Sequence, residues 1–135
     1  MIIGIGTDLC DIRRIEKTLE RFQDRFKSRI FLESERNKAD NQPNPAATYA
    51  KFFAAKESCS KALGTGFRQG VSWKNFEVRN LDTGQPYLIL SGAALRRLKS
   101  LTPQNMKSVI NLSLTDEFPL ANAVVIISAQ KSKIT

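Results

Sequence analysis

The order of local patterns along the chain predicts an α+β fold in which an antiparallel sheet packs against helices. Three observations carry that expectation. A β-branched strand opens the chain, two apolar-striped helical stretches follow, and a hairpin and a final pair of strands fill the second half. At 135 residues the chain is expected to form one domain, 1–135, with a real core but little room for a large substrate unless a second subunit helps.

Ile2, Ile3, Ile5, Thr7 and Leu9 form the opening strand, and Gly4 and Gly6 mark places where another backbone or a ligand comes close. Asp8 lies near its end. Ile12, Ile15, Leu19, Phe22 and Phe26 step by three and four, predicting one helix with Asp11 as its N-cap. Phe31 to Lys38 reads as a short second helix, and Pro43 and Pro45 make the segment after it a loop. A longer helix is predicted from about Ala46 to Leu63. On its wheel Phe52, Ala55, Cys59, Ala62 and Leu63 share one side and Ala50, Phe53, Ala54, Glu57 and Lys61 the other, so both sides are expected to be covered.

Residues 76–79 and 87–90 flank a Gly-containing loop as a hairpin, with Trp73 read as a packing residue. Gly92 to Leu98 forms a short helix that Pro103 ends. Ser108 to Thr115 and Ala121 to Ala129 are the last strands, joined by 116–119, and Lys131 to Thr135 is expected to fray.

Composition narrows the chemistry. No apolar run reaches the roughly 20 residues that cross a bilayer, and strand sequence begins at Met1 without a basic leader, so a cytoplasmic protein off the membrane is expected. Cys10 and Cys59 are too few for a disulfide framework, and with no histidine a zinc centre is nearly excluded, leaving oxygen ligands for any metal. The same absence removes histidine-dependent nucleophilic and phosphoryl-transfer schemes. A net charge of +8, from 21 basic and 13 acidic residues, calls for an acidic partner: nucleic acid, an acidic protein or a polyphosphate.

Arg14, Lys17, Arg21 and Arg25 run along the first helix away from its apolar stripe, thickened by Arg13, Lys27 and Arg29, while Glu16, Glu20 and Asp24 balance only part of them. This face is either a docking surface or a solvated one. From Phe52 to Gly66 a carboxylate and a lysine, Glu57 and Lys61, stand one helical turn apart before a Gly-Thr-Gly turn. Such a pair is either an ordinary i,i+4 surface contact with Gly64 as a C-cap, or a site for a metal and a phosphate in which the glycines let main-chain N–H groups approach an anion. Glu57 shares its face with Phe53 and alanines, so a cation, Lys61 or a metal, must offset its partial desolvation.

Three motifs in order favour the second reading. Ile5-Gly6-Thr7-Asp8-Leu9, then Phe53-Ala54-Ala55-Lys56-Glu57 running into Lys61-Ala62-Leu63-Gly64-Thr65-Gly66, then Ser113-Leu114-Thr115 together resemble the holo-[acyl-carrier-protein] synthase family of 4'-phosphopantetheinyl transferases over nearly the whole chain. The resemblance implies the 4'-phosphopantetheinyl transferase fold and transfer of the 4'-phosphopantetheine arm of coenzyme A to a serine of apo acyl carrier protein, releasing adenosine 3',5'-bisphosphate, a step that serves fatty acid biosynthesis. It implies Asp8 and Glu57 as Mg²⁺ ligands, Lys61 on phosphate, and Gly64, Thr65 and Gly66 beside the coenzyme; the serine proton goes to Glu57 or to water. It implies carrier docking on Arg13, Arg14, Lys17 and Arg21, no nucleic acid, and a homotrimer with active sites at subunit interfaces. Two positions depart from the family's usual residues. Phe52 stands where it has arginine, leaving Lys51 as the nearest replacement cation, and Asp116 stands where it has histidine. A basic nucleic-acid-binding module and a Mg²⁺-dependent nucleotide hydrolase are the competing expectations.

Overall fold

A computed structural model of the chain describes residues 1–132. The opening strand β1 (Ile2–Asp11) leads into α1 (Ile12–Phe22) and α2 (Asp24–Ile30), followed by α3 (Glu33–Asp40) and the long α4 (Pro45–Ala62). A 3-10 turn at Trp73–Asn75 precedes the hairpin β2 (Phe76–Asn80) and β3 (Pro86–Leu90); α5 (Gly92–Leu101), β4 (Met106–Glu117) and β5 (Leu120–Lys131) complete it. The fold is α+β, as expected, but its strands divide between two antiparallel sheets, β1-β5-β4 and the β2-β3 hairpin. Lys131 pairs with Met106 instead of fraying, and the rest of the expected frayed tail beyond Ser132 lies outside the described residues.

The helix predicted to run through Phe26 is two helices. Gln23 takes a left-handed φ of 46° and donates its N–H to Leu19 O, closing α1 and starting α2 in a new direction. The apolar spacing hides this break because no residue is inserted and neither Gly nor Pro marks it. Turned inward, Phe26 meets Phe31 edge-on at 5.7 Å and Phe53 at 6.5 Å, while Phe22 stays exposed. The short helix also starts later than Phe31: Phe31 and Leu32 are extended, and the Glu35 carboxylate accepts the Leu32 N–H at 2.9 Å.

Asp11 caps α1 through the Arg13 N–H at 2.9 Å. The Arg13 guanidinium, 2.7 Å from the same carboxylate, holds the Asp11 carboxyl down at about 2. Asn44 caps α4 and Pro45 occupies its first turn, where a missing N–H costs nothing. Both sides of α4 are covered along most of its length, with Phe52, Ala55, Cys59 and Ala62 buried on one and Ala50 and Ala54 on the other, while Lys61 is exposed.

The alternation of β5 turns Ala121, Ala123, Val125, Ile127 and Ala129 toward α4. The three alanines among them let helix and sheet approach closely. The opposite face of the sheet leaves Ile5 and Leu9 exposed at 65% and 60%. Trp73 packs as expected, stacked on Phe53 and Phe67 with centroids 4.8 and 3.8 Å away. Among the described residues no helix is long and apolar enough to cross a membrane.

Candidate active site

The two glycines of β1 set where the site forms. A Cβ on Gly4 would lie 2.2 Å from Ala62 O and one on Gly6 only 1.9 Å from Ser58 O, so the strand lies directly on the α4 main chain. The close approach left open at Gly4 and Gly6 is therefore to a backbone. Ser58 and Ala62 are one turn apart, and Glu57 and Lys61 precede each of them, on the edge of the strand contact. Asp8, two residues beyond Gly6, consequently faces the same edge.

Lys61 Nζ sits 3.2 Å from Asp8 Oδ1 and donates to Thr7 O at 3.1 Å. The strand is pinned in register nearby: Thr7 Oγ1 and Ser58 Oγ both donate to Ala123 O at 3.1 Å, and Asn122 Nδ2 donates to Asp8 O at 2.9 Å. The Asp8 side chain is mostly covered, whereas that of Lys61 is half exposed. Burial pushes the Glu57 carboxyl up, the Asp8 charge adds to the rise, and Lys61 and Arg14 oppose it. Asp8 and Glu57 are thus near enough to feel each other's charge, with the Lys61 ammonium beside Asp8.

That donor set suits a hard divalent cation. Such a cation takes oxygen ligands, and Mg²⁺ commonly uses one or two carboxylates with substrate phosphate and water filling the rest. Burial and, after it, the Asp8 charge raise Glu57, and a cation held by these carboxylates would offset both. Among the described residues no three His, Cys, Asp or Glu side chains gather as a ready-made metal cluster. Burial holds both thiols high, Cys59 at about 12, so neither cysteine is set up as a nucleophile.

The Gly64-Thr65-Gly66 turn is placed differently from the anion cradle that its glycines allowed. Gly64 and Gly66 take φ of 79° and 57°, but their N–H groups donate to Lys61 O and Ser60 O at 2.9 and 3.0 Å. The turn closes α4. Thr65 is buried, and Arg97 Nε adds a bond to Leu63 O at 2.9 Å. Of the basic residues on α1, Arg13 is held by Asp11 and Arg14 belongs to the electrostatic surroundings of Glu57. Both line an open groove of about 550 Å³ with Lys17, Glu16 and Glu20. Arg21 lies over the Phe22 ring at 5.1 Å.

Of the two departures from the family pattern, Asp116 is paired with the cation next to Phe52 in sequence. Lys51 Nζ pairs with Asp116 Oδ1 at 3.1 Å, and Phe52 is buried in the core. Sequence reasoning missed two features. One is a groove of about 270 Å³ between α1 and α2 lined by Phe22, Arg25, Phe26 and Arg29. The other is Lys56, wholly buried and 2.7 Å from Glu35. Its signal was present, because Phe52, Cys59 and Leu63 at i−4, i+3 and i+7 make its face apolar.

Comparison with known proteins identifies the family. Residues 4–122 match the family model of the 4'-phosphopantetheinyl transferase superfamily. A holo-[acyl-carrier-protein] synthase from Dinoroseobacter shibae is 60% identical over 129 residues, covering 96% of this chain and 93% of that one. The chain belongs to the holo-[acyl-carrier-protein] synthase family of phosphopantetheinyl transferases. Two solved structures of the family have the same fold. The synthase from Neisseria meningitidis superposes with a TM-score of 0.81 at 34% identity, covering 95% of this chain and 99% of that one. The synthase from Helicobacter pylori, solved in complex with coenzyme A, gives 0.77 at 30% identity, with 92% and 99% covered.

Proposed function

We propose that this chain transfers the 4'-phosphopantetheine group of coenzyme A to a serine hydroxyl of an apo acyl carrier protein, with adenosine 3',5'-bisphosphate leaving. The observation that carries the reading is the convergence of Asp8, Glu57 and Lys61 on one edge of α4. Asp8 and Glu57 would hold Mg²⁺, which when bound polarises the phosphorus centre and offsets charge on the departing bisphosphate. Lys61, half exposed and already beside Asp8, is free to turn its ammonium to phosphate oxygens. The serine oxygen bonds to phosphorus as the diphosphate P–O bond breaks, and its proton leaves to Glu57 or to water, the chain having no histidine. Gly64, Thr65 and Gly66 would take the coenzyme against the surface of the turn, since the Gly64 and Gly66 amides are bonded to α4.

The carrier is proposed to dock on α1, through Arg13, Arg14, Lys17 and Arg21, with the Arg25 and Arg29 groove extending that face onto α2. An Arg14→Glu variant should raise the carrier KM roughly tenfold, an effect that weakens with added salt, as expected for charge steering. Equal carrier KM in parent and variant would move the docking face elsewhere. The exposed apolar sheet face at Ile5, Leu9, Phe118 and Leu120 fits burial by further copies of the chain, the homotrimer with shared sites. Light scattering coupled to size exclusion reads that state directly.

The decisive assay mixes the protein with coenzyme A, Mg²⁺ and an apo carrier and follows the carrier's mass. A phosphopantetheine increment is expected on the carrier. Coenzyme A cleaved with no increment would make water the acceptor and the chain a hydrolase.

A further inference from the structure

Lys56 and Glu35 are wholly buried, and the proposed transfer uses neither. Lys56 Nζ reaches Glu35 Oε1 at 2.7 Å, Phe76 O at 2.8 Å, Ile30 O at 3.0 Å and Trp73 O at 3.3 Å. Glu35 in turn accepts the N–H groups of Leu32 and Val78 at 2.9 and 2.8 Å. One ammonium therefore ties α4 to the end of α2, to α3, to the Trp73 turn and to the start of β2. Stability alone is a weak reason for such a pair, because apolar residues of similar volume often serve as well or better.

What the pair adds is direction. From Ala54 onward the buried α4 surface beside Lys56 is alanine, serine and cysteine, whose short side chains offer few knobs to resist rotation of this half of the helix, the aromatic knobs Tyr49, Phe52 and Phe53 lying in the half before it. On the sheet side the glycine contacts fix how close the strand comes. On the other side this half is held by the three N–H groups of Lys56, on Glu35 Oε1, Phe76 O and Ile30 O, with Trp73 O at 3.3 Å sharing one of them. Glu57 is the next residue, about 100° round the helix. Side-chain tips stand about 5 Å from a helix axis, so a rotation of roughly 10° moves a carboxylate by about 1 Å. A misplacement of that size can cost on the order of a hundredfold in rate.

We propose that Lys56 is a positioning residue that sets the rotation of α4 and thereby holds Glu57 opposite Asp8. This rests on the reading that Glu57 acts in the transfer. Lys56→Met alone would strand a buried carboxylate and unfold the chain for unrelated reasons, so the test compares parent, Glu35→Gln and the Glu35→Gln/Lys56→Met double variant. Three readouts are taken: kcat and KM for carrier, Mn²⁺ affinity without substrates, and the near-ultraviolet circular dichroism of Trp73, the single tryptophan.

The double variant is expected to melt cooperatively, to lose about 10- to 100-fold in kcat with carrier KM within about twofold, and to bind Mn²⁺ roughly tenfold more weakly. The Trp73 signal should change, since its carbonyl loses a donor. A folded double variant with parental kcat and Mn²⁺ affinity overturns the proposal. If the double variant does not fold, Glu35→Gln decides: a kcat loss of about three- to tenfold at unchanged carrier KM supports it, and parental kcat overturns it. A parent that binds Mn²⁺ but transfers nothing removes the reading of the site instead, and the Mn²⁺ affinities then still test the positioning.

Discussion

Replacing Glu57 with glutamine is expected to lower transfer by at least about 10³-fold while leaving the protein as stable as before, or more so. The two halves of that result have one origin. Burial and the facing Asp8 charge raise the proton affinity of Glu57 above its ordinary value of 4.5, so ionising it in the folded chain is unfavourable. The cost is absent below the unfolded value and grows as pH rises through the raised one, which makes Glu57 a destabilising group at neutral pH. Glutamine keeps the shape and removes the charge, so the melting temperature at pH 7 should equal or exceed the parent's. In the proposed transfer the same charge would hold the divalent cation, so its loss would remove the electrostatic centre of the reaction. Asp8→Asn should lose transfer to a similar extent, and it also removes the Lys61 partner 3.2 Å away. Mass analysis of the carrier and a thermal melt of each variant suffice. Transfer within tenfold of the parent in both variants would show that the carboxylates are not the metal site.

The residues of this site were legible one at a time, and their meeting was only partly so. Period-2 and period-3.6 patterns located β1, α4 and the β2-β3 hairpin because those signals are local. The pairing of β1 with β5 joins residues more than a hundred positions apart, and no local pattern carries that register. It is nevertheless what places Asp8 opposite Ala123 and holds it beside α4. Gln23 shows the converse limit, since a single left-handed residue redirects the chain without disturbing apolar spacing. Gly64 and Gly66 announced positive φ correctly, but a glycine does not tell which acceptor its N–H will find. Lys56 could be read as a lysine on an apolar face. Its partner could not, because Glu35 sits on a different helix and reaches it only through the tertiary fold.

Gly6→Ala tests whether the site depends on the closeness of β1 and α4. A Cβ at this position would stand 1.9 Å from Ser58 O and 2.9 Å from both Ser58 C and Ala62 N, all main-chain atoms that cannot rotate away. Overpacking that side chains can absorb costs about 1–3 kcal/mol, and a clash with backbone belongs at or above the top of that range. For a domain of this size about 3 kcal/mol corresponds to a fall of roughly 10 °C in melting temperature. The strand can relieve the clash only by lifting from the helix, which carries Asp8 away from Glu57 and Lys61. The variant should therefore lose transfer more steeply than it loses folded protein, measured at a temperature where its melt shows it fully folded. Proportional losses of activity and folded fraction would mean that the glycine serves stability alone. Parental melting and parental transfer together would mean that β1 does not lie on α4 as described, and the geometric basis for joining Asp8 to Glu57 would fail with it.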